Sequence, residues 1–195
     1  MFYKGRRMKG TPHPNTDFHG FGGAIREELA RRIPRRSVNV LDVGTGFAGN
    51  ALFLAKALPE GSRIWTLDPS DEVLARAKKS LRAEGLDHRV EFVRATVEKT
   101  DFGGHFFDLI FSVMALHHLK NLGDALDEMT RVLKPGGKVI LVDFEPKAAR
   151  ELEFTSLHRE PDFFAGNLVE SALAGRMTSA KISRFGLWYL VEGTK

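Results

Sequence analysis

Apolar and polar positions divide the chain into short apolar runs separated by longer stretches of helical period. Val38, Val40, Leu41 and Val43 form a β-branched, apolar run, the pattern of an inner strand buried on both faces. Similar runs over 63–67, 90–93, 107–114 and 138–144 predict four more strands. Between them lie helical spacings. Ile25, Leu29 and Ile33 recur every fourth residue, and Pro34 stops that predicted helix, which starts near Gly23. A second helix is expected over 50–58, closed by Pro59-Glu60-Gly61. Val73, Leu74, Ala77 and Leu81 line one face of a third. Ser70 is a suitable cap for it, Asp71 and Glu72 complement the dipole, and Gly85 ends it. A fourth runs from Leu122 to Leu133, and Lys134-Pro135-Gly136-Gly137 reads as a sharp stop and turn before the fifth strand. Residues 96–105 lack a helical period and read as loop or a single turn. Helical spacing returns over 147–158 and 163–174. Two short runs, 180–185 and 187–192, are joined so tightly at Phe185-Gly186 that they form an antiparallel hairpin.

Five strands alternating with helices require a parallel sheet covered on both faces, and the hairpin adds reversed pairing. The expectation is one α/β domain over 37–195, preceded by a basic N-terminal arm and helix over 1–36. No internal repeat or low-complexity segment interrupts it. Residues 1–19 show neither period, and Thr11-Pro12-His13-Pro14-Asn15 is loop chemistry.

Composition narrows the class without naming a ligand. A chain of 195 residues with 43% apolar and 28% charged residues is an ordinary soluble domain. The absence of Cys removes disulfides and thiolate metal sites. No apolar run is long enough to span a bilayer and no signal peptide is evident, so a cytoplasmic location is the default and no membrane partner is expected. The net charge of +4 is uneven. Residues 1–36 carry nine Lys/Arg against three acids, a net of +6, which leaves −2 for the remainder. A solvated terminus accounts for this excess, and so does an anionic partner such as RNA.

The stretch with most chemistry follows the first strand: Asp42-Val43-Gly44-Thr45-Gly46-Phe47-Ala48-Gly49. Glycines in such a strand–turn–helix permit a tight turn and close approach of the backbone to a nucleotide-like ligand. Asp68 ends the next strand about twenty residues on.

Together with Phe107-Asp108-Leu109-Ile110-Phe111-Ser112, Leu116-His117-His118-Leu119 and Arg131-Val132-Leu133-Lys134-Pro135-Gly136-Gly137, these motifs resemble the class I S-adenosylmethionine-dependent methyltransferases. The resemblance covers about residues 38–145. It implies a Rossmann-like three-layer sandwich with a seven-stranded, mostly parallel sheet whose last strand is antiparallel. It also implies S-adenosylmethionine as cofactor. Asp42 and the turn Gly44-Thr45-Gly46 would surround its methionine end, Asp68 its ribose, Pro69 its adenine face, and Thr96 and Val97 its adenine edge. Ser112 and Val113 would line the path to the methyl group. Two positions depart from the family pattern. Ala48 stands where the third turn glycine is usual, which is tolerable if its φ is negative and Gly49 absorbs the turn. Thr96 stands where an acid often meets the adenine amino group, and its neutral hydrogen bond is weaker.

His117 is the candidate catalytic group, since a histidine titrates near neutral pH and lies beside the expected methyl path. The competing reading is a histidine bonded to backbone in an apolar stretch. No metal site is expected, because no third ligand accompanies His117 and His118. The fourth strand lacks the Asn/Asp-Pro-Pro-aromatic motif of enzymes that methylate exocyclic base nitrogens. Phe154, Leu157, Phe163, Phe164, Leu168 and Leu173, with Glu145, His158 and Glu170, suggest a wall for a small, partly apolar acceptor or, equally, ordinary helix packing. Tyr3, Phe18 and His19 mark the arm as a possible lid. The expected function is methyl transfer to such an acceptor. The alternatives are an RNA methyltransferase that uses the arm and a non-catalytic, cofactor-binding regulatory protein.

Overall fold

The computed structural model describes residues 21–148 and 164–195. Its strands are β1 (Asn39–Val43), β2 (Arg63–Asp68), β3 (Val90–Arg94), β4 (Phe107–Val113), β5 (Leu133–Phe144), β6 (Ser179–Arg184) and β7 (Trp188–Thr194). The helices are α1 (Gly22–Ala30), α2 (Gly49–Ala57), α3 (Asp71–Ala83), α4 (Leu122–Val132) and α5 (Gly166–Ala174). The strands form one seven-stranded sheet in the order β3-β2-β1-β4-β5-β7-β6. β1 to β5 are parallel, and β7 runs antiparallel to β5 and β6.

Alternate residues of each inner strand face opposite layers. Val40, Ile64, Leu109 and Ile140 join Leu29 of α1, Leu54 of α2 and Leu81 of α3 in one cluster. Leu41, Trp65, Ile110 and Leu141 join Leu126 and Met129 of α4 and Val169 of α5 in the other. This is the three-layer arrangement expected from the sequence. It explains why the inner strands read as nearly continuous apolar runs.

Two helix starts carry side-chain caps, at Ser70 as expected and at Asn121. The Ser70 Oγ accepts the Val73 N–H at 3.3 Å, and Asn121 Oδ1 accepts the Asp124 N–H at 3.2 Å, each capping a helix. Gly186, at φ 81°, turns the terminal hairpin. The sequence reading needs three corrections. First, α1 ends at Ala30, not Ile33, because its last turn closes through the Arg32 N–H to Leu29 O. Second, Lys134–Gly137 is not a turn that precedes a strand but belongs to β5. Phe107 pairs with Leu133 and Leu109 with Lys138, so the segment bulges out of the ladder. The C-terminus holds that bulge through Gly136 N–H to Lys195 O at 2.8 Å and Lys195 N–H to Gly137 O at 3.0 Å. Third, Ala48 has φ 66° and is left-handed, so Gly49 does not absorb the turn but begins α2. The helix expected over 147–158 lies almost wholly outside the described residues.

The parallel strands bring their carboxyl ends to one edge, and the turn after β1 sits at its centre. Gly44 has φ 88°, and a Cβ there would lie 2.5 Å from the Ala115 Cβ. Both facts require glycine. Ala48 differs. Its left-handed backbone costs about 1–2 kcal/mol, but its fully buried methyl contributes about 0.8 kcal/mol and restricts the unfolded chain by a further 0.4–1 kcal/mol or so. These terms nearly cancel. Ala48→Gly is therefore expected to move the thermal midpoint by no more than about 3 °C. Gly44→Ala, which combines the backbone penalty with an overpacked contact, should lower it by about 5 °C or more. Differential scanning calorimetry of the two variants checks this contrast.

Candidate functional site

The site is assembled at the carboxyl edge where β1 lies between β2 and β4. Asp42, next to last in β1, is paired in register with Thr66 of β2. It is fully buried. Thr66 Oγ1 donates to Asp42 Oδ2 at 2.8 Å, and the Thr45 and Thr66 hydroxyls are 2.8 Å apart. Thr66 has one proton and gives it to the carboxylate, so Thr45 donates to Thr66. Gly44 and Thr45 also donate their backbone N–H groups to Leu67 O at 3.0 and 3.1 Å. The turn is thus fastened to β2 by backbone and side chain together. Among the described residues, Asp42 Oδ1 has no hydrogen-bond partner.

Burial dominates the electrostatics of Asp42 and pushes its carboxyl up to about 7. The Thr66 hydrogen bond and the Asn50 amide act in the opposite direction, and the nearby Asp68 charge adds to the rise. The Asn50 amide also donates to Val113 O at 3.5 Å, tying α2 to the end of β4.

Around this centre the structure gathers most of the residues singled out from the sequence. Gly46 is exposed with φ 47°, and nothing lies within 4 Å of where its Cβ would be, so open space faces the turn. Asp68 ends β2 half-buried, and its Oδ1 accepts the Ser70 N–H at 3.0 Å. Pro69 is exposed beside it. Thr96 is exposed and Val97 buried on the loop after β3. That loop is anchored to α4, where Thr100 donates its N–H and its hydroxyl to Glu128 at 2.9 and 2.5 Å. The Arg131 guanidinium and these Thr100 bonds, acting against partial burial, hold Glu128 down at about 2.

Ser112 and Val113 are both buried at the end of β4. The Ser112 hydroxyl donates to Val43 O at 3.2 Å and so braces β4 against β1. Beyond them Met114 has φ 56°, a second left-handed residue without glycine's freedom at this edge. Such outliers persist where surrounding structure enforces them, and they concentrate at functional sites.

His117 sits in the 3-10 turn after β4 with only 2% of its side chain exposed. Asp143, near the end of β5, holds it twice. Its carboxylate accepts the His117 backbone N–H at 3.1 Å and lies 2.9 Å from Nδ1. His118, which is exposed, lies against it with ring centroids 4.1 Å apart and the rings tilted by 51°. Among the described residues no three His, Asp or Glu side chains gather as a metal site.

The segments expected to read the acceptor divide. Tyr3, Phe18, His19, Phe154, Leu157, His158 and Phe163 lie outside the described residues. Leu173 is fully buried core, whereas Leu168 is 52% exposed. Glu145 accepts the Gly166 N–H at 3.1 Å, and Glu170 accepts the Ile182 N–H at 2.9 Å, so both brace α5. In the basic segment, Arg31 and Arg32 pair with Glu28, Arg32 also with Glu192 at 2.8 Å, and Arg36 with Asp108 at 3.2 Å. These cations serve the fold. Thr66 and Asp143 were missed in the sequence. The signal for each was a polar residue inside an otherwise apolar inner strand.

Comparison with known proteins bears on this geometry. The family model described as a methyltransferase domain matches residues 41–141, which spans the turn, Asp68 and the end of β4. The ubiquinone/menaquinone biosynthesis C-methyltransferase UbiE of Rickettsia bellii is 37% identical over 122 residues, covering 61% of this chain and 49% of that protein. The glycine/sarcosine/dimethylglycine N-methyltransferase of Actinopolyspora halophila is 33% identical over 104 residues, covering 53% of this chain and 18% of that protein. A crystal structure of a SAM dependent methyltransferase from Aquifex aeolicus superposes with a TM-score of 0.70 at 21% identity, covering 87% of this chain and 88% of that one, and so shares the fold. The chain spans about half the length, or less, of the curated relatives it matches first. With half its length matched by the methyltransferase-domain model, the chain belongs to that family, the class I S-adenosylmethionine-dependent methyltransferases.

Proposed function

We propose that this protein binds S-adenosylmethionine at the carboxyl edge of β1, β2 and β4 and transfers its methyl group to a small, partly apolar acceptor in the cytoplasm. One observation carries the reading: a buried carboxylate, with one oxygen unbonded among the described residues, stands two residues before an open glycine turn and one strand away from a second, half-exposed carboxylate. A cofactor with an ammonium group at its amino-acid end and a ribose diol suits those two acids. Asp42 and the Gly44-Thr45-Gly46 turn would hold the amino-acid end. Asp68 has acceptor capacity beyond its Ser70 contact for two ribose hydroxyls. Pro69, Thr96 and Val97 would meet the adenine, and Ser112 and Val113 would close the floor beside the methyl group.

The bound cofactor supplies an electrophilic methyl on a sulfonium. The chain's own contribution is to position an acceptor in line with it and to keep water away. His117 is proposed as the group nearest the acceptor, oriented by Asp143. A base is needed only where the acceptor must lose a proton. The relatives named above act on carbon and on nitrogen, so the acceptor atom is assigned by experiment. The alternative RNA reading rests on the basic arm, whose residues 1–20 lie outside the described residues.

Calorimetric titration with S-adenosylhomocysteine tests the cofactor site. The wild-type protein should bind it, and Asp68→Ala should bind at least about tenfold more weakly through loss of a charge-assisted pair of hydrogen bonds. Absence of binding by the wild type sinks the reading.

A pH dependence follows from Asp42. Its carboxyl is raised in the folded protein, so its contribution to stability is intact below pH 4 and declines as pH rises toward 7. A rise of about three units corresponds to a penalty of about 4 kcal/mol at pH 8. Asp42→Asn should therefore gain stability relative to wild type between pH 4 and 8, by several degrees in thermal midpoint. A cationic ligand favours the ionised form, so wild-type affinity for S-adenosylhomocysteine should rise from pH 5.5 to 7.5, and that rise should be absent in Asp42→Asn. A flat wild-type profile would remove the proposed pairing.

A further inference from the structure

Thr66 occupies a position where an apolar β-branched residue is the ordinary choice. It lies in β2 between Trp65 and Leu67, is fully buried, and shares a face with Ile64. A valine there would fill the same space. A hydroxyl in a dry interior is unfavourable by about 1–3 kcal/mol unless it is bonded. Its bonds in this structure are the one it gives to Asp42 Oδ2 and the one it receives from Thr45, both at 2.8 Å.

Those two bonds have a directional consequence. The single Thr66 proton engages Oδ2, the Asn50 amide also acts on the carboxylate, and among the described residues Oδ1 has no hydrogen-bond partner. The Thr45 proton is committed to Thr66, which fixes the side chain of the residue between Gly44 and Gly46. Without the Thr66 hydroxyl, the carboxylate would lose its bond at Oδ2 and keep only the influence of the Asn50 amide, and Thr45 would lose its partner.

We infer that Thr66 is a positioning residue for the amino-acid end of the cofactor: its hydroxyl locks the Asp42 carboxylate and the Thr45 side chain into one buried chain and reserves Asp42 Oδ1 for a cationic ligand group. This rests on the proposed cofactor site and assigns it a residue that touches no ligand. Thr66 acts on one end only. The acid serving the ribose, Asp68, is bonded instead to the Ser70 N–H.

Two ligands separate this role from general support of the fold. S-adenosylhomocysteine carries the amino-acid group, whereas 5′-methylthioadenosine has the same nucleoside and sulfur without it. In calorimetric titrations, Thr66→Val should weaken S-adenosylhomocysteine about tenfold and leave 5′-methylthioadenosine within about twofold of wild type. Thr66→Ser, which restores the hydroxyl, should bind both as wild type does. If the valine variant does not fold, Thr66→Ser and Thr66→Ala decide, since they differ from each other only in the hydroxyl. Equal losses for both ligands, or no loss for either, overturn the inference while leaving the cofactor site intact. Failure of the wild type to bind S-adenosylhomocysteine overturns the site itself.

Discussion

A buried carboxylate with no cation beside it among the described residues is the constraint around which the centre of this sheet is built. Asp42 is fully inside, its charged form disfavoured by burial and by Asp68. A core of this kind tolerates such a group only where polar neighbours or a ligand compensate it. Thr66, Thr45 and Asn50 supply part of that compensation, and one oxygen is left over. The turn above it cannot relax away, because Gly44 and Thr45 are tied to Leu67 and Gly44 is pressed against Ala115. The strain seen at Ala48 and Met114 belongs to the same neighbourhood.

The two edges of the sheet have different chemistry. At the amino edge, Asp108 receives the Asn39 N–H, Lys134 and Arg36, contacts that hold its carboxyl below the usual range in spite of burial. Arg89 closes the end of α2 by donating to the carbonyls of Ala55, Leu58 and Pro59. Most of these polar groups are paired, although Arg89 Nε has no partner among the described residues, and they stabilise the frame. At the carboxyl edge the acids are incompletely satisfied, and glycine leaves room above them. A parallel sheet concentrates such groups because every strand from β1 to β5 ends there.

Much of the fold was legible because the inner strands are apolar on both faces and the helices carry one apolar stripe each. The hairpin followed from the short link at Phe185-Gly186. The turn glycines and Asp68 were legible for a related reason: their spacing relative to the strands fixes them at one edge. What sequence could not supply was three-dimensional partnership. The β5 bulge depends on hydrogen bonds between Gly136-Gly137 and Lys195, some sixty residues away. The backbone of Ala48 depends on how tightly the turn is pinned, not on the identity of Ala48 itself. Thr66 and Asp143 look like minor polar interruptions until the register sets one beside Asp42 and the fold sets the other beneath His117.

The central claim is that the space above Asp42 and beside Asp68 receives the cofactor. A crystal structure of the protein grown with S-adenosylhomocysteine tests it most directly. The account predicts the amino-acid group over the Gly44-Thr45-Gly46 turn, with its nitrogen linked to Asp42 directly or through one water, and both ribose hydroxyls on Asp68. Density for the ligand at any other edge of the sheet, or a ribose that makes no contact with Asp68, would contradict it.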